Sequence, residues 1–231
     1  MVQNHLLRLV APKSWPMTKR KGIRFITRPR SGPHKLIESI PLNLLLKNVL
    51  NHASTTKEVK TILNKGKVLV NNEIVKDYKY PIGIMDIISI PSTKEYYVVL
   101  IGENGKFSLN KIPKEKASLK LCKIINKTLL RKNKLQLNFL DGRNQLTNNK
   151  EYKVGDTLVL NLDKNEIKDH LEFKKGASVY LINGKHKGET AILDEIGLSK
   201  GNSPHRIKLK KGNETFETLK DYTFVVDKSI L

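Results

Sequence analysis

Basic side chains crowd the first forty residues of the chain, and their shared chemistry is the binding of anions. Nine lysines and arginines stand there against a single acid, Glu38. They are Arg8, Lys13, Lys19, Arg20, Lys21, Arg24, Arg28, Arg30 and Lys35. Ammonium and guanidinium groups neutralise phosphates, and one arginine can hold a phosphate through two parallel hydrogen bonds. The composition therefore indicates a nucleic-acid partner for this segment.

Two aromatic side chains in the same segment offer a second kind of nucleic-acid chemistry. Trp15 and His34 can stack on unpaired bases that have left a helix. Trp15 has an alternative role as a hydrophobic anchor that holds the segment to the rest of the chain. The sequence alone leaves both roles of Trp15 open.

Further basic residues occur in three other places. One group lies at a predicted helix and hairpin and comprises Lys57, Lys60, Lys65 and Lys67. A second group occupies a glycine-flanked turn and comprises Lys185, His186 and Lys187, and Arg143 lies in another turn. We expect contact with RNA from these residues, because clustered charge creates a field that attracts a polyanion. Ordinary solvated surface charge is the alternative.

The chain as a whole is strongly basic. Its 231 residues include 43 lysines and arginines and 22 aspartates and glutamates, which gives a formal net charge of +21. Its apolar runs are far shorter than the roughly 20 residues of a membrane span, and no signal peptide opens the chain. We expect a soluble cytoplasmic protein that has no membrane partner.

Patterns typical of catalysis and metal binding are absent from the sequence. Cys122 is the only cysteine, so we expect a small buried hydrophobic residue there and no intrachain disulfide. The six histidines lack the spacing of metal ligands. No phosphate-binding glycine loop or nucleophile motif occurs, and Asp141-Gly142 is typical of a tight turn. We expect no enzyme activity, cofactor, metal or small-molecule substrate.

Two helices and a hairpin are predicted directly after the basic segment. The first helix is indicated by apolar residues at helical spacing, namely Leu42, Leu45, Leu46 and Val49. Thr55 and Glu58 form a capping box for the second helix, and Gly66 offers a left-handed end. The pair Asn71-Asn72 suits a two-residue hairpin turn, because asparagine tolerates positive φ.

The remaining sequence predicts short β-strands joined by turns, with a short helix within residues 113–123. The expected strands are 87–90, 96–101, 106–109, 136–140, 157–162, 179–182, 190–193, 206–210, 215–219 and 223–226. Regularly spaced short strands favour small barrels or sandwiches. The predicted fold class is therefore α+β, with most strands in the second half of the chain.

Short motifs in a fixed order run through nearly the whole chain. They are HLLR at 5–8, APKSW at 11–15, RP at 28–29, GPHK at 32–35, IPL at 40–42, KYPIGIMDII at 79–88, KLCKI at 120–124 and DGRN at 141–144. Together they closely resemble the small-subunit ribosomal protein family "S-four-e" of archaea and eukaryotes. Two departures, Asn71-Asn72 where the family commonly has Asp-Gly and Lys76 where it commonly has Arg, concern only fine geometry.

The resemblance implies an architecture of four parts. These are an extended basic N-terminal arm at 1–40, an alpha-L RNA-binding module at 41–90, a central β-rich, barrel-like domain at 91–172 and a KOW SH3-like β-barrel at 173–231. In a KOW domain the loop at 184–188 would bind RNA or protein. The chain ends soon after Val226 without the basic extension of eukaryotic relatives, so it resembles the archaeal type.

The resemblance also implies a function. A member of this family is a structural constituent of the small ribosomal subunit, where it binds ribosomal RNA, contacts neighbouring ribosomal proteins and supports assembly and translation. The alternatives are a free RNA-binding or KOW-type transcription or translation factor, and an RNA-modifying enzyme. No polymerase-binding domain is recognisable in the sequence, and no sizeable catalytic domain surrounds Asp141.

Overall fold

The structure is a computed structural model that describes residues 5–17, 21–131, 134–197, 205–212 and 214–227. The chain divides into two compact units, residues 1–120 and 121–231. The fold is mostly β, and the α-helices of the described residues lie in the first unit. The expected α+β class therefore overstates the helical share. None of the helices within the described ranges is long and apolar enough to cross a bilayer.

Short strands and two helices build the first unit. Its described strands are β1 (Leu6–Leu7), β2 (Phe25–Ile26), β3 (Ser39–Pro41), β4 (Leu69–Val70), β5 (Glu73–Ile74), β6 (Pro81–Gly83), β7 (Ile87–Ile90), β8 (Glu95–Ile101) and β9 (Phe107–Lys111). Its helices are α1 (Leu42–Leu44), which continues as a wide π turn (Leu45–Val49), and α2 (Thr56–Asn64). Antiparallel pairing gives two small sheets, β1-β2 and β3-β6, and a sheet in the order β5-β4-β7-β8-β9.

Local sequence signals in this unit are confirmed at three points. The Thr55 hydroxyl accepts from the backbone N–H of Glu58, whose carboxylate reaches back to the N–H of Thr55. This capping box satisfies two backbone donors at the start of α2. Gly66 has a φ of +65° at the helix end. Asn71 and Asn72 have φ values of +50° and +67°, as a two-residue turn between β4 and β5 requires.

The basic N-terminal segment is part of the first unit and not an extended arm. Leu6, Ala11 and Trp15 are buried in the same hydrophobic cluster as Ile40 and the residues of α2. The Phe107 N–H donates to the Ser14 carbonyl at 2.8 Å, which ties the segment to β9. The expectation of an arm with too little apolar surface to fold is wrong for the described residues, because a few widely spaced apolar side chains all reach one core.

The strands that follow β7 differ from the expected division at residue 90. β8 pairs with β7 and β9 pairs with β8, so this hairpin extends the sheet of the first unit and does not begin the central domain. The helix expected within residues 113–123 is reduced to one 3-10 turn at Lys116–Ser118. The long strand β10 (Leu119–Leu129) begins directly after that turn and runs from the first unit into the second.

The second unit is built from two antiparallel sheets. Its described strands after β10 are β11 (Leu135–Phe139), β12 (Asn144–Thr147), β13 (Thr157–Asn161), β14 (Glu166–Leu171), β15 (Ser178–Leu181), β16 (Thr190–Ile196), β17 (Arg206–Lys211), β18 (Glu214–Leu219) and β19 (Thr223–Val225). The strand orders are β12-β11-β10-β13-β14 and β18-β17-β16-β15-β19. Each sheet has its own apolar cluster, around Phe139 in the first and around Val179 in the second. Cys122 is buried in the first cluster, as expected.

Candidate nucleic-acid interface

Basic residues from two distant stretches of the chain line one cleft of the first unit. The cleft has a volume of about 890 Å³. It is lined by Arg28, Pro29, Arg30, Ser31, Gly32, Pro33, His34, Lys35 and Leu36 on one side and by Asp77, Tyr78 and Lys79 on the other. Four arginines and lysines therefore face this space with a single carboxylate, so the cleft suits a polyanion.

Backbone hydrogen bonds hold the two sides of the cleft together. The N–H of Arg30 donates to the Lys79 carbonyl at 2.8 Å. On the other side, the Asp77 carboxylate accepts from the Lys79 N–H at 2.9 Å, and the Asp77 carbonyl accepts from the Tyr80 N–H, which closes a tight turn. Arg30 Nη1 lies 3.3 Å from Asp77 Oδ2, but the Arg30 side chain is 76% exposed. Its guanidinium therefore stays available to solvent and to phosphate.

The Tyr78 ring brings one further cation, Lys60, to this cleft beside Lys79. The Nζ atom of Lys60, on α2, lies 4.7 Å from the centre of the Tyr78 ring, and Nζ of Lys79 lies 5.7 Å from it. An ammonium group is attracted to the electron-rich face of an aromatic ring. The half-buried ring thus holds a lysine of α2 and a lysine of the cleft beside each other, and it packs on the core behind them.

A buried ionic cluster fixes the N-terminal segment next to the cleft. Asp86 accepts four hydrogen bonds: from Lys120 Nζ (2.7 Å), His34 Nε2 (2.9 Å), Asn71 Nδ2 (2.9 Å) and the Gly83 N–H (2.8 Å). The side chains of Asp86 and Lys120 are each 1% exposed, and that of His34 is 5% exposed. The cluster therefore joins residues that are far apart in sequence into one rigid junction.

Electrostatics keep the Asp86 carboxylate charged in spite of its burial. Removal from water opposes its ionisation, but the Lys120 ammonium and His34 together hold its pKa well below the usual range. An ionised carboxylate only accepts hydrogen bonds, so His34 Nε2 carries the hydrogen. Gly83 makes room for this arrangement, because a Cβ there would collide with the His34 ring. A larger residue at position 83 would displace the imidazole.

Trp15 and His34 do not offer their rings to a nucleic acid. Trp15 is 1% exposed, and its indole N–H donates to the Ser39 carbonyl at 2.6 Å. His34 is held in the Asp86 cluster. The prediction that these two residues stack on bases is therefore wrong for this fold. Trp15 is instead a hydrophobic anchor, which is the alternative role given for it in the sequence analysis.

The other predicted residues of the first unit lie on its surface. Lys13, Lys21, Arg24 and Lys35 are exposed, and Arg8 and Arg28 are half-buried. The lysines at α2 and its hairpin are also exposed and comprise Lys57, Lys60, Lys65 and Lys67, of which Lys60 lies at the Tyr78 ring. Lys19 and Arg20 lie outside the described residues. RNA contact by these residues stays a prediction.

The predicted residues of the second unit occupy two turns. Lys185, His186 and Lys187 lie between β15 and β16, where the His186 ring stacks on Phe216 with centroids 4.1 Å apart. His186 Nδ1 lies 3.3 Å from Glu189 Oε2, so this histidine is held within its own unit. Arg143 lies in the turn before β12, with its Nε 3.7 Å from Asp141 Oδ2. RNA contact by these four residues likewise stays a prediction.

Sequence reasoning missed Tyr78 and Lys79. The acid Asp77 precedes them, and a lone Asp-Tyr-Lys run gives no periodic signal. Their position opposite Arg30 depends on pairing between β3 and β6, two short strands that periodicity does not predict. Among the residues that the structure describes, no three histidine, cysteine or acidic side chains cluster in a way that could hold a metal ion.

Comparisons with known proteins show which family the chain resembles. Three family models match the chain: the RS4NT domain at residues 2–37, the S4 domain at 41–88 and the ribosomal family S4e at 93–167. Together with the fold, these matches place the chain in the class of ribosomal proteins that contain an S4 domain.

Relatives that match nearly the whole chain identify its family more specifically than the three domain matches do. The "Small ribosomal subunit protein eS4" of Methanocella arvoryzae is 40% identical over 228 residues, which covers 99% of this chain and 96% of that protein. The protein of the same name from Methanothermobacter thermautotrophicus is 37% identical and covers 98% and 93%. The crystal structure of 30S ribosomal protein S4e from Thermoplasma acidophilum superposes with a TM-score of 0.71 at 30% identity, over 83% of this chain and 96% of that one. The chain belongs to the ribosomal S4e family.

Proposed function

We propose that this protein is a structural constituent of the small ribosomal subunit, in which it binds ribosomal RNA and contacts neighbouring ribosomal proteins. The observation that carries the proposal is the basic cleft at Arg30, Lys35 and Lys79, in a chain whose relatives are named for the small subunit. The predicted location is accordingly the ribosome. An enzymatic role is not expected for a member of this family.

The binding mechanism is electrostatic and depends on shape. Phosphates that enter the cleft would meet guanidinium and ammonium groups held at fixed positions, since the cleft walls are joined by the Arg30–Lys79 backbone hydrogen bond. Each phosphate that is neutralised releases condensed counterions, which makes the affinity depend steeply on salt. The module at 41–90 would act as an alpha-L RNA-binding module, and the sheet of β15–β19 as a KOW barrel that adds contacts through the loop at 184–188.

The cleft can be tested by neutralising three of its cations together, as Arg30→Gln/Lys35→Gln/Lys79→Gln. We expect the affinity for small-subunit ribosomal RNA to fall by at least about tenfold. The slope of log affinity against log salt should decrease by about 2 to 3, because roughly one unit is lost for each phosphate contact removed. Filter binding over a range of salt concentrations measures both quantities.

A matched control removes the same charge from another surface of the same unit. Lys106, Lys111 and Lys114 are exposed and do not line the cleft. The variant Lys106→Gln/Lys111→Gln/Lys114→Gln should keep nearly the wild-type affinity. Equal losses in both variants would show that net charge alone, and not the cleft, binds RNA. Sedimentation of the wild-type protein apart from small subunits in a cell extract would overturn the proposed function itself.

A further inference from the structure

Although Trp15 and His34 are buried, the N-terminal segment has an exposed aromatic side chain in Phe25. Phe25 is 47% exposed, although it lies in a strand of the first unit. In the ribbon of β1 and β2, Leu6 pairs with Ile26 and Leu7 pairs with Phe25. Successive side chains of a strand point to opposite faces, so Leu6 and Ile26 pack on the core while Leu7 and Phe25 face outward.

Cationic and aromatic groups surround the Phe25 ring. The Arg24 guanidinium carbon lies 5.3 Å from the ring centroid. The His5 ring meets Phe25 edge to face, with centroids 5.3 Å apart and an interplanar angle of 77°. Base–aromatic stacking needs an accessible ring face, and a guanidinium beside the ring can neutralise the phosphate of the same strand.

We propose that Phe25, flanked by Arg24 and His5, is a stacking platform for an unpaired base of RNA. This inference rests on the proposed function, because it names the residue that would contact a base there. It adds a base contact to an interface whose other predicted contacts involve charge. It also explains why the β1-β2 ribbon carries an aromatic residue on its outward face, where the residue does not pack on the core.

Charge decides between RNA and an apolar protein surface as the occupant of this ribbon. Residues 1–37 contain no aspartate or glutamate. A protein that covered Phe25 would bury the neighbouring Arg24 with it and would have to bring an acceptor for that guanidinium, since an unpaired buried charge is costly. RNA supplies phosphate next to every base, so it satisfies both the ring and the guanidinium.

The test compares Phe25→Leu with Phe25→Tyr, because leucine keeps apolar volume and loses the aromatic face. We expect Phe25→Leu to weaken binding of small-subunit ribosomal RNA by about tenfold and Phe25→Tyr to bind like wild type. Equal affinity of wild type and Phe25→Leu would overturn the platform. If wild type itself failed to bind this RNA, the proposed function would fail, and that result is distinct from a failure at Phe25 alone.

A fluorescent variant reports stacking directly. Phe25→Trp places an exposed indole on the ribbon, while Trp15, the only tryptophan of the chain, stays buried. Oligoadenylate should quench this indole, and an abasic oligomer of the same length should not, since it keeps the phosphates and lacks the bases. Ile37→Trp is the control, because Ile37 is 75% exposed and has no aromatic role. Equal quenching by both oligomers, or equal quenching of both variants, would overturn the proposal.

A protein partner at the ribbon would give a different pattern. Phe25→Leu would then bind RNA like wild type, and Phe25→Asp would lower incorporation into small subunits without lowering RNA affinity. That outcome would assign the ribbon to a neighbouring protein and would overturn the stacking platform.

Discussion

Two lysines of the same strand are buried and satisfied in different ways. Lys120 and Lys123 both lie in β10, with exposed fractions of 1% and 5%. Lys120, in the first unit, donates to the Asp86 carboxylate at 2.7 Å. Lys123, in the second unit, donates to the backbone carbonyls of Lys220, Asp221 and Thr223 at 3.2, 3.0 and 2.5 Å.

The difference shows two solutions to the cost of burying a charge. A carboxylate partner compensates the charge of Lys120. If one member of the pair is removed, the other is left as an uncompensated buried charge, which strongly destabilises the fold. Carbonyl groups give Lys123 three acceptors with only partial charges. Burial then lowers the pKa of Lys123 to about 8, while the nearby Asp221 carboxylate opposes that shift. Removal of Asp86 should therefore greatly lower the free energy of unfolding of the first unit. The contribution of Lys123 to stability should instead change with pH in the alkaline range.

The largest expected effect comes from Asp86→Asn. This change leaves the Lys120 ammonium buried without its counterion, so the free energy of unfolding of the first unit should fall by about 3–5 kcal/mol. Trp15 fluorescence in urea measures this quantity, because the only tryptophan of the chain lies in the first core. Acid should mimic the variant: the folded pKa of Asp86 lies below its ordinary 3.8, so its contribution is present above about that pH and is lost as pH falls further.

Asp77→Asn is the matched control for this prediction. Asp77 also pairs with a cation, but Arg30 is 76% exposed and the Asp77 side chain is 33% exposed. An exposed pair contributes about 0–1 kcal/mol, so this variant should unfold almost like wild type. A loss of similar size in both variants would show that the buried position of Asp86 has no special weight.

A smaller effect is expected from Lys123→Met in the second unit. Methionine retains most of the apolar stem but leaves three carbonyls without their donor. We expect a loss of about 1–3 kcal/mol, because unsatisfied buried acceptors are costly while the burial of a charge is relieved. Hydrogen exchange of the amides in β15 and β19 measures the effect. The exposed Lys210→Met serves as its control, and faster exchange in that variant as well would contradict the role assigned to Lys123.

Local features of this fold follow from sequence, and the buried charge clusters do not. The capping box at Thr55 and the turn at Asn71-Asn72 depend on neighbours within four residues, so short patterns predict them. His34 and Asp86, in contrast, are 52 residues apart, and Lys120 joins them from a third segment. A buried lysine looks like any solvated lysine in a sequence, because only the fold determines what surrounds it.

The N-terminal segment was predicted wrongly for the same physical reason. Nine cations and several prolines made residues 1–40 resemble a disordered arm, since a high net charge opposes the burial of a segment. Folding depends instead on where Leu6, Ala11 and Trp15 point, and all three reach one core. The burial of Trp15 and His34 escaped prediction for a related reason. Trp15 is buried in the first core with its indole N–H on the Ser39 carbonyl, and Phe25 is exposed on β2, whose pairing with β1 is too short to leave a periodic pattern.

The smallest expected effect is the pH dependence of stability, which distinguishes the buried site of Lys123 from that of Lys120. The folded pKa of Lys123 is about 8 and its ordinary value is 10.5, so the unfolded chain binds more protons between these values. The free energy of unfolding that this group contributes therefore increases as the pH rises through that interval. The increase is about 1 kcal/mol over the first pH unit above 8. Hydrogen exchange of the second unit measures this increase in stability. The increase should be absent in Lys123→Met and present in Asp86→Asn. A rise of the same size in Lys123→Met would mean that falling net charge, and not release of a buried proton, stabilises the unit in alkali.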